Sequence, residues 1–172
     1  CDTIEELCEK RDYILVLAPS NPETHLRFAE KVLPFGKRTY IDKTFAPDDQ
    51  TAQKIFAIAQ KYSTPFFSSS ALRFGTELGD VKSPVTVAVK GGGGNLPEYI
   101  VHQAEMVVKT LGLGVKSVVA EKLGDNRYLM KIGYGDERSA TMEYRPDYGF
   151  EIAWKQANGE GGTRAIVSDM FV

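Results

Sequence analysis

Two cysteines, Cys1 and Cys8, are all that the 172 residues contain. They stand together in one polar stretch, which leaves neither a disulfide framework nor a metal-ligand spacing. No apolar run approaches the roughly 18 residues of a membrane-spanning helix, and none resembles a leader, a pattern that fits a cytoplasmic enzyme without membrane partners. A surplus of charge is missing too. The 21 basic and 23 acidic residues leave a formal net charge of −2 and no basic stripe, so nucleic acid is set aside as a partner. The hydrophobic share of 42% and charged share of 26% exclude disordered and fibrous classes. This length suits one domain or two small ones with real cores.

What the chain has is a change of grammar partway along. Residues 13–18 form a continuous apolar run, too short for a helix and suited to a parallel strand buried on both faces. A Pro-Ser-Asn-Pro turn follows, then helical spacing of Leu26, Ala29, Val32 and Leu33 that Gly36 stops. Tyr40 and Ile41 suit a second strand; Ala52, Ile55, Phe56 and Ala59 mark a second helix, with Pro47 at its start; Pro65, Phe66 and Phe67 begin a third strand. Strand and helix alternating in this way predict a partial Rossmann, doubly wound α/β unit over residues 1–70.

Beyond Ser70 the pattern becomes α+β. A strand at 85–89, four glycines, and a helix from Pro97 to about Leu111 precede five turn-linked strands at 115–123, 127–132, 140–144, 150–154 and 164–168. Residues 71–172 are therefore expected to form an antiparallel sheet covered by the helix.

Several residues could carry chemistry. Lys43 follows the second strand, at the carboxyl end where open α/β sheets bind ligands; a solvated loop lysine is the plain alternative. Gly91, Gly92, Gly93 and Gly94 lie between a strand and a helix but fail the dinucleotide fingerprint, since Leu96 stands where its last glycine is required. They read as a flexible loop or a connector. On the helix that follows, Glu98, His102, Glu105 and Lys109 form a polar stripe. Glu98 lies one turn before His102, so a carboxylate can hold one imidazole nitrogen and leave the other for acid–base work. A solvated helix face is the alternative. One histidine with no cysteine nearby is thin for zinc, and no metal site is assigned. His25 reads as a surface or capping residue, and Arg73 as an anion contact or an inter-domain ion pair.

Taken in order, these segments resemble a known family. The hydrophobic strand, the Ala-Pro-Ser-Asn-Pro-x-Thr-His run, the helix ending in Gly36-Lys37 and the Asp42-Lys43 pair are similar to the second half of the nucleotide-binding domain of the Gfo/Idh/MocA oxidoreductases. Glu98, His102 and Glu105 resemble that family's Asp-x-x-x-His-x-x-Asp helix, and the later strands its substrate and oligomerisation domain. The resemblance implies NAD or NADP as cofactor and hydride transfer to or from a hydroxyl-bearing carbon of a sugar or cyclitol. It implies that Lys43, His102 and Glu98 are catalytic. Pro19, Ser20, Asn21, His25 and Lys43 would line the cofactor, Arg73 and Glu105 the substrate, and the sheet would make a homo-oligomer.

The departures from the family pattern carry expectations of their own. Thr44 replaces the family's proline, so a cis bond after Lys43 is not expected. The glycine fingerprint and the ribose-binding acid precede this chain's first residue in the family, so a fragment inactive by itself is expected, with weak NAD(P) affinity. The rival reading is a non-catalytic binding or scaffold subunit of the same fold.

Overall fold

The structure, a computed structural model, describes residues 1–18 and 21–168. The chain divides into two compact units, Cys1–Ser69 and Ser70–Val172.

The first unit holds a three-stranded parallel sheet in the order β1 (Tyr13–Val16), β2 (Arg38–Ile41), β3 (Phe66–Phe67). Its helices are α1 (Ile4–Lys10), α2 (His25–Val32) and α3 (Asp49–Lys61). The expected helix over 23–35 is α-helical only in its middle: 3-10 turns at Pro22–Thr24 and Leu33–Phe35 flank α2. Pro34, having no N–H, cannot extend the α-helical ladder, and Gly36 closes the segment at a φ of 67°. Pro47 precedes the cap of α3 and is not its first residue, because the Asp48 carboxylate takes the Thr51 N–H at 2.7 Å.

Ile14, Val16 and Ile41 join Cys8, Ala29, Val32, Leu33, Ile55 and Ala59 in one buried cluster. The opposite face is uncovered. Tyr13 and Leu15 are 66% and 63% exposed, and Leu15, Tyr40 and Phe67 stand in register across the three strands. This corrects the expectation that the first strand is buried on both faces. Burial alternates along it, since side chains one apart point to opposite faces and the packed helical residues meet only one.

The second unit contains a six-stranded sheet, β4 (Pro84–Gly91), β5 (Ser117–Gly124), β6 (Arg127–Gly133), β7 (Ser139–Tyr144), β8 (Glu151–Gln156) and β9 (Gly161–Ala165), with α4 at Leu96–Leu111. The spatial order is β5-β6-β7-β4-β8-β9. Every pair is antiparallel except β4 with β7, which run parallel. β9 begins three residues earlier than expected, because Gly161 and Gly162 are strand residues paired with Lys155 and Trp154. The Gly162 backbone lies against the Trp154 ring, where a Cβ would come within 2.9 Å of it, so glycine serves close packing here and not a turn.

Val87, Val89, Met130, Ile132, Ala140, Met142 and Ile152 of the sheet pack with Met106, Val107 and Leu111 of α4 and with Leu72 and Leu78. The end of α4 is fastened by the connection between β6 and β7: Arg138 Nη1 donates to Leu111 O at 2.6 Å and the Tyr134 hydroxyl to Gly112 O at 3.1 Å. Asp136 holds that guanidinium through Nε and Nη2, and the Tyr134 ring lies 4.6 Å beneath it. Among the described residues no helix is long and apolar enough to cross a membrane.

Candidate functional site

Lys43 and His25 stand in the first unit, and Arg73, Glu98, His102 and Glu105 in the second. Pro19 and Ser20 lie outside the described residues.

The segment carrying Lys43 is pinned along its length. The Asp42 N–H donates to Val16 O at 3.0 Å, extending the β1–β2 pairing beyond Ile41. The Asp42 carboxylate turns back to accept the Lys43 N–H at 2.8 Å and the Tyr40 hydroxyl at 3.0 Å. The Lys43–Thr44 peptide bond is cis, which corrects the sequence expectation. That expectation used only the intrinsic preference of a non-proline amide, which takes no account of this surrounding hydrogen bonding.

Two residues further on, the His25 ring closes the segment by donating from Nδ1 to Phe45 O at 3.0 Å. His25 is fully buried at the start of α2, which corrects its reading as a surface or capping residue. Its position behind the loop gives it the work of holding the backbone around Lys43. Asn21 sits at the end of the loop after β1, where its carbonyl accepts the Thr24 N–H at 3.2 Å.

A dinucleotide needs a cradle for its pyrophosphate as well as contacts for its nicotinamide end. Lys43, at the carboxyl end of a parallel strand, fits the second requirement. The starts of α1, α3 and α4 do not meet the first. Asp48 occupies the start of α3 and Thr3 that of α1, with Glu5 and Glu6 in its first turn. At α4 the Asn95 side chain accepts the Glu98 N–H at 3.0 Å. Acids at helix starts already use the positive end of the dipole and repel phosphate. Among the described residues, no glycine-rich turn opens a helix onto an open anion site.

The glycines at 91–94 are not flexible. The Gly93 N–H donates to Pro146 O at 3.1 Å and the Arg145 N–H to Gly91 O at 3.2 Å, while the Tyr144 hydroxyl donates to Gly93 O at 2.9 Å. Burial raises the Tyr144 pKa, with Tyr99 and Tyr128 contributing less, so the phenol remains a donor. A Cβ on Gly92 would meet the Arg145 and Pro146 backbone, and one on Gly93 the Tyr99 ring. The run therefore lets two backbone segments and the Tyr99 ring pass closely.

The polar stripe of α4 is solvated only in part: Lys109 is exposed and Glu98 and Glu105 are half-buried. His102 is only 4% exposed and Gln103 is fully buried. The 3-10 turn at Ala71–Phe74, whose residues include Arg73, packs on this side of the helix. Ser70 caps that turn by accepting the Leu72 N–H at 3.1 Å, and its Oγ lies 2.6 Å from His102 Nδ1. The Glu105 carboxylate takes the Ser70 N–H at 3.3 Å through Oε1 and Arg73 Nη1 at 2.7 Å through Oε2. Tyr99 and Phe150 meet the imidazole edge-on, each with its ring centroid 5.5 Å away.

The structure thus joins Arg73 with Glu105 inside the second unit. The sequence expected the Glu98 carboxylate at the imidazole nitrogen where the Ser70 hydroxyl is found, and Ser70 was not among the expected site residues. A serine just before a short helical turn signals a cap, but nothing local signals a histidine 32 positions away.

No protein-family model and no curated protein sequence matches the chain. The fold is that of Gfo/Idh/MocA-type dehydrogenases. A UDP-N-acetylglucosamine 3-dehydrogenase from Acidithiobacillus ferrooxidans superposes with a TM-score of 0.74 at 13% identity, covering 96% of this chain and 64% of its own. A dehydrogenase from Clostridium difficile gives 0.73 at 16%, covering 98% and 67%. A protein of Sinorhizobium meliloti 1021, provisionally named a myo-inositol dehydrogenase, gives 0.79 at 13%, covering 94% and 59%. The chain spans roughly two thirds of the length of these structures or less.

Proposed function

We propose that this chain belongs to an NAD(P)-dependent oxidoreductase that moves a hydride between the nicotinamide and a hydroxyl-bearing carbon of a sugar or cyclitol. The observation that carries this reading is the imidazole of His102, buried on α4 and engaged at Nδ1, in a fold shared with sugar dehydrogenases. The cofactor, when bound, supplies the hydride chemistry. Lys43, on its pinned backbone, contacts the nicotinamide ribose and the reacting hydroxyl and favours the developing alkoxide. His102 accepts the hydroxyl proton at Nε2 on oxidation and returns it on reduction. Arg73 and Glu105, already paired, shape the substrate pocket as a unit. Thr86, Ala88, Thr141 and Ala153 line a shallow depression on the sheet and offer a smooth surface for a second copy in a homo-oligomer.

The experiment is an assay of the protein as it occurs in cells with NAD and NADP against a panel of sugars, nucleotide sugars and cyclitols. Lys43→Met and His102→Gln should each lower kcat by about 100-fold or more. The 172-residue chain alone should bind NADH with a Kd weaker than about 1 mM, since among the described residues no glycine-rich turn opens a helix onto a phosphate site. Wild-type activity in both variants would overturn the catalytic reading. It would favour a binding or scaffold subunit of the same fold.

A further inference from the structure

We propose that Asn158 is a site of spontaneous deamidation: the Gly159 nitrogen closes on its side-chain amide to form a succinimide, which water opens to aspartate and isoaspartate. The site lies in the turn between β8 and β9 and is independent of the oxidoreductase reading.

Among the asparagines, Asn21 precedes a proline, whose nitrogen has no proton to lose, and Asn95 and Asn126 precede Leu96 and Arg127. Asn158 alone precedes a glycine, which has no side chain to crowd the approach of its nitrogen to Cγ. Gly159 has a φ of 89°, and even an added Cβ would meet nothing within 4 Å. Asn158, Gly159 and Glu160 are all exposed, so hydroxide and water reach the turn. The Asn158 side chain folds back over it. Its Oδ1 accepts the Glu160 N–H at 3.0 Å, and its Nδ2 donates to Glu160 Oε2 at 3.0 Å. An oxygen held by the N–H two residues on lays the amide carbon beside the peptide between them, which contains the Gly159 nitrogen. The same N–H faces the oxygen on which negative charge grows during the attack.

Water is the one co-reactant. Base removes the Gly159 N–H proton, the nitrogen bonds to Cγ, and the bond from Cγ to Nδ2 breaks as ammonia leaves with a proton from solvent. Water adding at Cγ restores the backbone as aspartate. Water adding at the Asn158 main-chain carbonyl reroutes the backbone through Cγ as isoaspartate. One restraint opposes the closure: the Gly159 N–H donates to Gln156 O at 3.0 Å and must first be released, which an exposed hairpin end does by local opening. Either product replaces the Nδ2 donor by a carboxylate facing that of Glu160, where like charges repel. Isoaspartate also lengthens the turn by one backbone carbon, displacing the bond from the Gln156 N–H to Glu160 O at 2.7 Å. The strand beyond, β9, is an edge strand whose Gly162 lies against Trp154, and its pairing loosens from this end.

Incubating the 172-residue chain at neutral and mildly alkaline pH, then digesting it with trypsin, isolates residues 156–164 as one peptide, since Lys155 and Arg164 bound it. Mass spectrometry follows its conversion from amide to acid, with a synthetic peptide of that sequence as reference. The folded chain should convert at a rate within about 10-fold of the free peptide, rising with hydroxide and giving both acid forms, while peptides carrying Asn21, Asn95 and Asn126 stay intact. Gly159→Ala should slow it by about 10-fold. Conversion slower than this range in the wild type would mean that the bond on the Gly159 N–H shields the turn, and would overturn the proposal whether or not the alanine variant folds. Converted chain should show red-shifted emission from Trp154, the single tryptophan; unchanged emission would overturn the loosening of β9.

Discussion

Replacing Gly92 by alanine, with Gly94→Ala as its partner, asks whether the glycine run is a close-packed crossing or a flexible loop. A Cβ on Gly92 would lie 2.8 Å from the Pro146 carbonyl oxygen and closer still to that of Arg145, both backbone atoms that no rotamer change can move. Relief requires separating the two segments, which loosens the Gly93 N–H to Pro146 bond at 3.1 Å and the Arg145 N–H to Gly91 bond at 3.2 Å. Overpacking costs about 1–3 kcal/mol and each weakened hydrogen bond about 0.5–1.5 kcal/mol. A destabilisation of about 3 kcal/mol is expected, lowering Tm by about 6–12 °C for a chain of this size. At Gly94 the nearest atom to an added Cβ is Tyr99 Cε2 at 3.7 Å, an ordinary contact, so Gly94→Ala should shift Tm by no more than about 2 °C. Thermal melts by circular dichroism measure both. Equal, small shifts in the two variants would refute the packing argument and restore the flexible loop.

Two further outcomes follow from packing and charge. Ile14→Ala should cost about 2–5 kcal/mol in urea unfolding, whereas Leu15→Ser, one residue on and 63% exposed, should change stability by about 0.5 kcal/mol at most; comparable losses would mean that the face between Leu15 and Phe67 is covered. Glu77 accepts the Ser168 hydroxyl, which does most to lower its pKa from 4.5 to about 2, and also the Val167 N–H at 2.8 Å and the Ser168 N–H at 2.6 Å. A lowered carboxyl pKa gives stability that is complete above pH 4.5 and lost as the pH falls toward 2. Glu77→Gln should flatten the stability curve in that window, and an unchanged acid slope would dismiss the contribution.

Much of the fold was legible because the signals were local. The helical spacing of Ile55 and Ala59, the turn at Asn158 and Gly159, and the strand of β4 follow from side-chain period and turn chemistry. The insertion of β4 between β7 and β8 was not, since strand order depends on which partners meet after folding and no residue of β4 records it. The glycines misled for a related reason: Gly92 and Gly93 are demanded by Arg145, Pro146 and Tyr99, two of which lie over 50 positions along the chain.

The candidate site divides the same way. Choosing Glu98 as the partner of His102 used the one-turn rule, which holds on an isolated helix whose neighbours are solvent. Here the 3-10 turn carrying Ser70 and Arg73 packs on α4, so the nearest available oxygen on the imidazole comes from another element. Charge follows from that change of partner. A carboxylate at Nδ1 would favour the imidazolium, whereas a hydroxyl there adds no charge. The negative charge that the stripe does contribute nearby, on Glu105, is taken up by Arg73 at 2.7 Å. The sequence offered Glu98 as the group that holds His102 and Glu105 as a substrate contact; in the structure Ser70 meets both histidine and acid, with its N–H on the Glu105 carboxylate that pairs with Arg73 and its Oγ 2.6 Å from His102 Nδ1.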